Sequence, residues 1–370
     1  MIKTSYLIFT VFCLFDILSL IKLFRMMILK RIRLGQIGIG HNHAEAKILA
    51  ARKFSELFDV IGYAEPDETW ITRRGDLEGY RDLKRFDIDE LIERCDAILI
   101  ETDVWNLVRH ARKCIDAGVH IHMDKPANGA IEEFKSLLDE AEKKKLVVQL
   151  GYMYRYNPAV KKTFELIERG KLGEIYSINA EMSTYHPKGY KEWLSGFKGG
   201  IMYILGSHLV DLVVYMLGEP EGVFSFLKRT GLDDVDFEDN NLAVLEYKRA
   251  IARIFVSSVE VNGYGRRQLV VSGSRGTVDI VPLENPCVMT YSDTSFAETY
   301  KNKKETVDLC DLPPDCRYDD MMRDFYAYCI GEKQNPFTYK HDYIVHKVLY
   351  EIIGGWEERE HKIEALKDKY

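Results

Sequence analysis

The run GGIMYILGSHLVDLVVYML (199–217) is almost wholly apolar, yet it carries one imidazole, His208, and one carboxylate, Asp211. Burying either group costs free energy unless it is paired or hydrogen-bonded. Read as a helix, the run puts Ile204, His208, Asp211 and Tyr215 on one stripe, at spacings of four, three and four. Two readings stand at this point. One is a His–Asp pair satisfied inside a core; the other is an imidazole for proton transfer, which its ordinary titration at about pH 6.5 suits. Lys125 is a second candidate. In HIHMDKPANG it follows an apolar strand and precedes Pro126, at the strand end where open α/β sheets bind ligands. An ammonium there can hydrogen-bond a substrate hydroxyl and stabilise negative charge that develops as the hydroxyl is oxidised. His120 and His122 share a face of the same strand, but nothing supplies further ligands at a matching spacing. Sheet packing is therefore expected of them, and no metal site is assigned.

A third set of residues suits a phosphate. GIGHNH (38–43) follows a strand and opens a helix. Gly38 permits a tight turn, Gly40 lets a pyrophosphate approach the backbone at the helix N-terminus, and His41 and Asn42 complete the turn. His43 stands where GxGxxG has its third glycine. The next strand ends in YAEPD, which places Glu65 where a carboxylate accepts hydrogen bonds from an adenosine ribose. A carboxylate there repels a 2′-phosphate and no arginine follows it directly, so NAD is expected in preference to NADP.

The elements that must position these groups are visible as two grammars. From Arg31, short apolar strands alternate with helices as far as LVVQLGY, which implies a doubly wound parallel sheet. Beyond Tyr152, after one helix, GVFSFLKRTG, NLAVLEYK, IARIFVSSVEV, RRQLVVSGS and GTVDIVP run as successive strands. Such a run implies an open, mainly antiparallel sheet with helices on one face. The expected class is α/β plus α+β: a Rossmann domain over 31–151 and a substrate and oligomerisation domain over 152–370. Closing helices near 318–331 and 341–354 are expected to pack back on the first domain.

A chain of 370 residues can hold two such cores. A net charge of -7 without a basic block excludes a nucleic-acid binder. Seven cysteines without metal-ligand spacing read as reduced thiols, and so as a cytoplasmic protein. SYLIFTVFCLFDILSLIKLF (5–24) is long enough to resemble a membrane span. Asp16 at its middle would cost about 2.5–3.5 kcal/mol on insertion. Met26 and Met27 stand just before the first strand, so residues 1–30 are read as an extension behind a misplaced start, in preference to an anchor.

Taken in order, GIGHNHA, MDKPA, GYMYRYNP and GGIMYILGSHLVD resemble the glucose–fructose oxidoreductase, inositol dehydrogenase and rhizopine-catabolism (Gfo/Idh/MocA) family over about residues 33–356. The resemblance implies a Rossmann domain joined to an open-sheet domain, with the active site between them. Its E-K-P motif matches Asp124, Lys125 and Pro126, and implies that Lys125 assists catalysis beside the nicotinamide. Its G-G-x-x-x-D-x-G-x-H-x-x-D pattern maps onto Gly199, Gly200, Ile204, Gly206, His208 and Asp211. That makes His208 the general base and Asp211 the distal aspartate. Ile204 stands where the pattern has its first aspartate, and an isoleucine can neither orient an imidazole nor bind a hydroxyl. Tyr154, Arg155, Tyr185, His186 and Lys191 are the polar groups near the cleft expected to compensate. Thr102 keeps the family's threonine, with Asp103 in place of the usual proline.

The function these readings imply is NAD(H)-dependent hydride transfer between nicotinamide and a secondary alcohol of a sugar, glycoside or cyclitol. Lys125 and His208 would handle the proton. The alternatives are redox-neutral glycoside cleavage or elimination with tightly bound NAD, and a non-catalytic NAD-responsive regulator. The open face of the second sheet implies a homo-oligomer, a dimer or tetramer.

Overall fold

The structure, a computed structural model, describes residues 30–294, 308–357 and 359. The apolar segment 5–24 lies outside the described residues. Among those described, no helix is long and apolar enough to cross a membrane.

The first sheet contains β1 (Ile32–Ile37), β2 (Phe58–Ala64), β3 (Ala97–Ile100), β4 (His120–Met123) and β5 (Val148–Leu150), all parallel, in the order β2-β1-β3-β4-β5. One parallel bridge from Tyr63 to Arg85 marks the place of a further strand beyond β2. With it, the order is that of a dinucleotide-binding sheet, and the order reverses between β1 and β3. Every residue of β3 is buried, as expected of a strand covered on both faces. Helices α1 (Ala44–Lys53), α2 (Glu68–Arg74), α3 (Ile88–Arg94), α4 (Leu107–Asp116) and α5 (Ile131–Lys144) connect the strands. In α4, Leu107, Val108, Ala111, Cys114 and Ile115 are buried at helical spacing, which lays that face on the sheet.

Helix α6 (Pro158–Glu168) leads into the second domain, with Asn157 capping its first turn through Ala159 N–H and Val160 N–H. The second sheet has eight strands: β6 (Ile175–Glu181), β7 (Gly222–Lys228), β8 (Asn240–Glu246), β9 (Ile251–Ser257), β10 (Gln268–Gly273), β11 (Gly276–Ile280), β12 (Met289–Asp293) and β13 (Asp308–Leu309). Their order is β13-β12-β11-β10-β6-β9-β8-β7, antiparallel except where β6 meets β9. Short helix α7 (Lys188–Leu194) follows β6, and α8 (Ser207–Leu217) packs on the sheet's inner face against β6 and β9. Alternate residues of β8 and β10 are buried. Phe224 and Phe226, paired across β7 with Val244 and Leu242, remain exposed on the outer face.

The predicted helix near Gly200 does not run evenly. Met202–Gly206 is a π-helical turn that passes into α8 at Ser207. A Cβ on Gly206 would lie 2.4 Å from Met202 Sδ, so a side chain there would have to push that methionine aside. Closing helices α9 (Arg317–Cys329) and α10 (Tyr339–Ile353) lie against the first domain. Phe325 meets His122 at 5.9 Å between ring centroids, Tyr326 meets Phe58 at 5.8 Å, and His346 meets Phe134 of α5 at 5.0 Å.

Candidate active site

The crevice opens where β1 and β3 part. Gly38 has φ +88°, and a Cβ on it would lie 2.3 Å from Thr102 N, so the turn after β1 rests directly on the end of β3. Gly40 is needed for a reason the sequence did not show: a Cβ there would lie 2.6 Å from the buried ring of Trp70 on α2. Glu65 stands at the end of β2, as expected. Its carboxylate accepts from Ile39 N–H at 2.7 Å and Asp67 N–H at 2.9 Å, tying the strand end to the glycine turn. Burial raises its pKa to about 7 against those bonds. Two accepted bonds leave a carboxylate room for ribose hydroxyls. His43, at the start of α1, makes no side-chain cap bond, and its N–H donates to His41 Nδ1 at 3.3 Å. These features fit a dinucleotide's pyrophosphate and ribose.

Beneath the turn lies a charged cluster that the sequence reading missed. Lys47 of α1 is fully buried and donates to Glu101 Oε1 at 2.8 Å and Asp124 Oδ2 at 2.5 Å. His41 Nδ1 and His43 Nδ1 stand 3.0 and 3.3 Å from the same Asp124 oxygen. Burial works against charge on Asp124, but His41, Lys47 and His43 hold its pKa well below the usual carboxylate range. Burial pushes Glu101 well up and His41 down to about 4, and lowers His43 as well. His41, His43 and Asp124 are close enough together for a metal ion. The Lys47 ammonium already neutralises Asp124 there, which opposes a second cation.

Lys125 reaches across the crevice. Its N–H donates to Asp124 Oδ1 at 2.7 Å, and its Nζ donates to the main-chain oxygen of Ile204 at 2.9 Å. Burial lowers its pKa to about 8, with Lys47 and Arg267 reinforcing the shift and Asp124 opposing it. His208 lies between the rings of Tyr154 and Tyr152, at 4.8 and 5.8 Å, and its Nδ1 has no hydrogen-bond partner. Its titration is not the ordinary one expected from the sequence. Burial, then the charges of Lys125 and His43, drive it well below 6.5, so the imidazole is neutral near pH 7. Tyr154 is held by Glu284, to which its hydroxyl donates, and by Arg267, whose Nη1 donates to it at 3.0 Å.

Asp211 does not pair with His208. Its carboxylate is bound by Arg155, with Nη2 to Oδ1 at 2.6 Å, and by His341 Nε2 at 2.9 Å; Arg155 Nη2 also reaches Asp342 Oδ1 at 2.6 Å. All of Arg155, Asp211 and Asp342 are buried. Burial opposes the Asp211 charge, yet Arg155 and His341 keep its pKa below the carboxylate range. The network joins the turn Met153–Tyr156 to α8 and α10, and Arg155 lies 4.8 Å from the Tyr152 ring that backs His208. Two of the residues expected to meet substrate, Arg155 and Asp211, are thus engaged with each other. Tyr185 is 54% exposed above Lys191 Nζ, which pairs with Asp233 at 2.6 Å, while His186 packs on Tyr190. Thr102 is buried, with its hydroxyl on Asp103 O, and Asn42 is exposed. His120 and His122 are used in the sheet, by Val147 N–H and by Gln149.

Residues 32–152 match the model of an oxidoreductase family with an NAD-binding Rossmann fold, and residues 160–279 match that family's C-terminal domain. The chain belongs to the Gfo/Idh/MocA family. Its curated relatives include a scyllo-inositol 2-dehydrogenase (NADP(+)) of Bacillus subtilis, 26% identical over 166 residues, which are 44% of this chain and 46% of that protein. A myo-inositol 2-dehydrogenase of Thermotoga maritima is 27% identical over 256 residues, 66% of this chain and 74% of that protein. The chain thus spans about half the length of the first of these relatives. A UDP-N-acetylglucosamine 3-dehydrogenase of Acidithiobacillus ferrooxidans shares the fold at a TM-score of 0.72 and 18% identity, covering 89% of this chain and 98% of that one.

Proposed function

We propose that this family member oxidises a secondary alcohol of a sugar, glycoside or cyclitol, or reduces the matching ketone, with NAD(H) as cofactor. The observation that carries the reading is that Lys125 Nζ, at the end of β4, is buried in the crevice between the two domains, 2.9 Å from Ile204 O, with His208 near enough for the Lys125 charge to help keep its imidazole neutral. The bound cofactor would supply the hydride acceptor or donor. Gly38, Gly40, His41, Asn42 and the start of α1 would hold its pyrophosphate, Glu65 its adenosine ribose, and Thr102 and Lys125 its nicotinamide end. Lys125 and His208 would hold and move the hydroxyl proton. Tyr154 orients the imidazole, and Arg155 with Asp211 braces that wall from behind. Tyr185, the exposed group among those expected from the sequence, and His186 remain candidates for substrate contact.

NAD is preferred to NADP in this reading because Glu65 occupies the ribose position. The nearby Arg85 is engaged, its Nη2 on Glu68 Oε1 at 2.5 Å and on Glu65 O at 3.0 Å. Trp70, packed against Gly40, is a natural reporter: NAD is expected to quench tryptophan fluorescence at lower concentration than NADP. Gly38→Ala should abolish that quench, because its Cβ would collide with Thr102 N; an unchanged titration would remove the glycine turn from the site. Phe224, Phe226 and Ile251, all exposed on one sheet domain, support a homo-oligomer through that face. Light scattering is expected to give a dimer or tetramer, and a monomeric mass at all concentrations would refute it.

A further inference from the structure

We propose that Arg317 and Glu284 form a donor–acceptor pair that binds a hydroxyl of the substrate ring away from the reacting carbon, and that this pair selects an uncharged ring over a sugar phosphate or sugar acid. The inference rests on the reading of the crevice as the place where a ring alcohol is oxidised.

Position comes first. Arg317 opens α9, and the next residue, Tyr318, has its ring 6.0 Å from that of His43 at the start of α1. The start of α9 therefore lies beside the cofactor side of the crevice. The Arg317 guanidinium stands 5.2 Å from the centroid of the Tyr154 ring, and the same ring lies 4.8 Å from that of His208. Arg267 belongs to the same wall: burial first, and then charges that include Arg267, lower both Lys125 and His208. At this wall His208 Nδ1 and Arg317 Nη1 are buried and have no hydrogen-bond partner among the described residues. Arg317 is 7% exposed, and an unsatisfied donor at that depth is costly. A ligand that supplies the acceptor removes the cost.

The geometry of the pair says what that ligand offers. Arg317 commits Nε and Nη2 to Asp315, with Nε 2.8 Å from Oδ2. Its Nη1 stands 3.6 Å from Glu284 Oε2, too far for a hydrogen bond. Glu284 is itself buried, and its Oε1 accepts from the Tyr154 hydroxyl and from Arg267 Nη1, the latter at 2.7 Å. One hydroxyl closes such a gap, because it can accept from Nη1 and donate to Oε2 together. An ionised carboxylate or phosphate oxygen can only accept, so it would meet Glu284 with no proton between them.

The charges agree with this. Asp315 neutralises Arg317, Glu284 neutralises Arg267, Asp211 and Asp342 neutralise Arg155, and Asp124 with Glu101 neutralises Lys47. Lys125 meets the Ile204 carbonyl instead, but in the proposed function it serves the reacting hydroxyl. An anionic substituent would be buried among cations that already have their carboxylates, which costs far more than burying a hydroxyl with two partners. The cluster is not sealed in the core. Tyr264, whose ring lies 4.6 Å from the Arg267 guanidinium, is 51% exposed.

The test uses the full chain with NAD present and titration calorimetry. The neutral probes are D-glucose, methyl β-D-glucoside and scyllo-inositol; the charged probes are D-glucose 6-phosphate and D-glucuronate. At least one neutral ring is expected to bind, about tenfold or more tighter than either charged probe. Arg317→Met should weaken that ring by about 10- to 100-fold. Glu284→Gln keeps an acceptor for Tyr154 and Arg267 but removes the repelling charge, so the preference against glucuronate should narrow or reverse. An ion pair with a structural role alone would lower the unfolding midpoint in both variants and leave the preference unchanged. Tighter binding of a charged probe, binding of no neutral probe, or an Arg317→Met affinity equal to wild type overturns the proposal. If Arg317→Met does not fold, the wild-type preference and Glu284→Gln still decide it. A neutral ring that binds without any nicotinamide reduction would count against hydride transfer and leave this inference standing.

Discussion

Lys125→Met is expected to lower kcat by about two to four orders of magnitude, the range of a lost general acid or base. That corresponds to about 2.7–5.4 kcal/mol in the barrier. Methionine keeps the length and apolar stem of lysine, so the packing in the crevice survives. The change removes one hydrogen bond, to Ile204 O, and one of the two groups proposed to hold and move the proton. The proposed dinucleotide contacts lie mainly on the turn after β1 and the end of β2, so NAD affinity should change by no more than a few fold. A variant with wild-type turnover would exclude Lys125 from the reaction. One with NAD affinity reduced as much as kcat would leave cofactor binding as its main role, and not proton transfer.

The second large effect is on stability. Arg155→Met removes the one guanidinium that serves both Asp211 and Asp342, and leaves two buried carboxylates facing each other. Breaking a buried ion pair from one side costs about 3–5 kcal/mol, because the remaining charge is uncompensated. Denaturant unfolding should show a loss of that size, with His341 the one remaining hydrogen-bond partner of the Asp211 carboxylate among the described residues. If Arg155 were instead a substrate contact, the variant would unfold like wild type and lose only KM. The two outcomes separate a brace from a binding group.

The contrast between Arg155 and Lys125 shows what sequence could and could not reveal. Lys125 was legible because strand-end position and the following proline are local properties, and the β4 end lies where they place it. The alternation of strands and helices, the change of grammar after Tyr152 and the open second sheet were legible for the same reason: burial periodicity is written within each element. Asp211 was not, because its partner lies 56 residues earlier and another, His341, 130 residues later. A spacing of three along a helix puts His208 and Asp211 on neighbouring positions without saying which outside group each meets. The titration of His208 depends on burial and on Lys125 and His43, which belong to other elements.

Lys47 left a signal that was not used. Ala44, Lys47, Ile48 and Ala51 form one buried stripe of α1, and a lysine within such a stripe must find a carboxylate. The partners, Glu101 and Asp124, are at the ends of β3 and β4, again as a parallel sheet requires. Gly40 carried an incomplete lesson: its missing side chain admits Trp70 as well as a phosphate. The π turn was hidden because hydropathy does not distinguish five-residue from four-residue hydrogen bonding in so apolar a run.

The most direct test of the central claim is nicotinamide absorbance when the protein and NAD are mixed with a panel of sugars, glycosides and inositols, with Lys125→Met run beside it. The account predicts a substrate-dependent rise in reduced nicotinamide that the variant loses. Conversion of a panel compound without any nicotinamide reduction, or a rise of equal size in Lys125→Met, would contradict it.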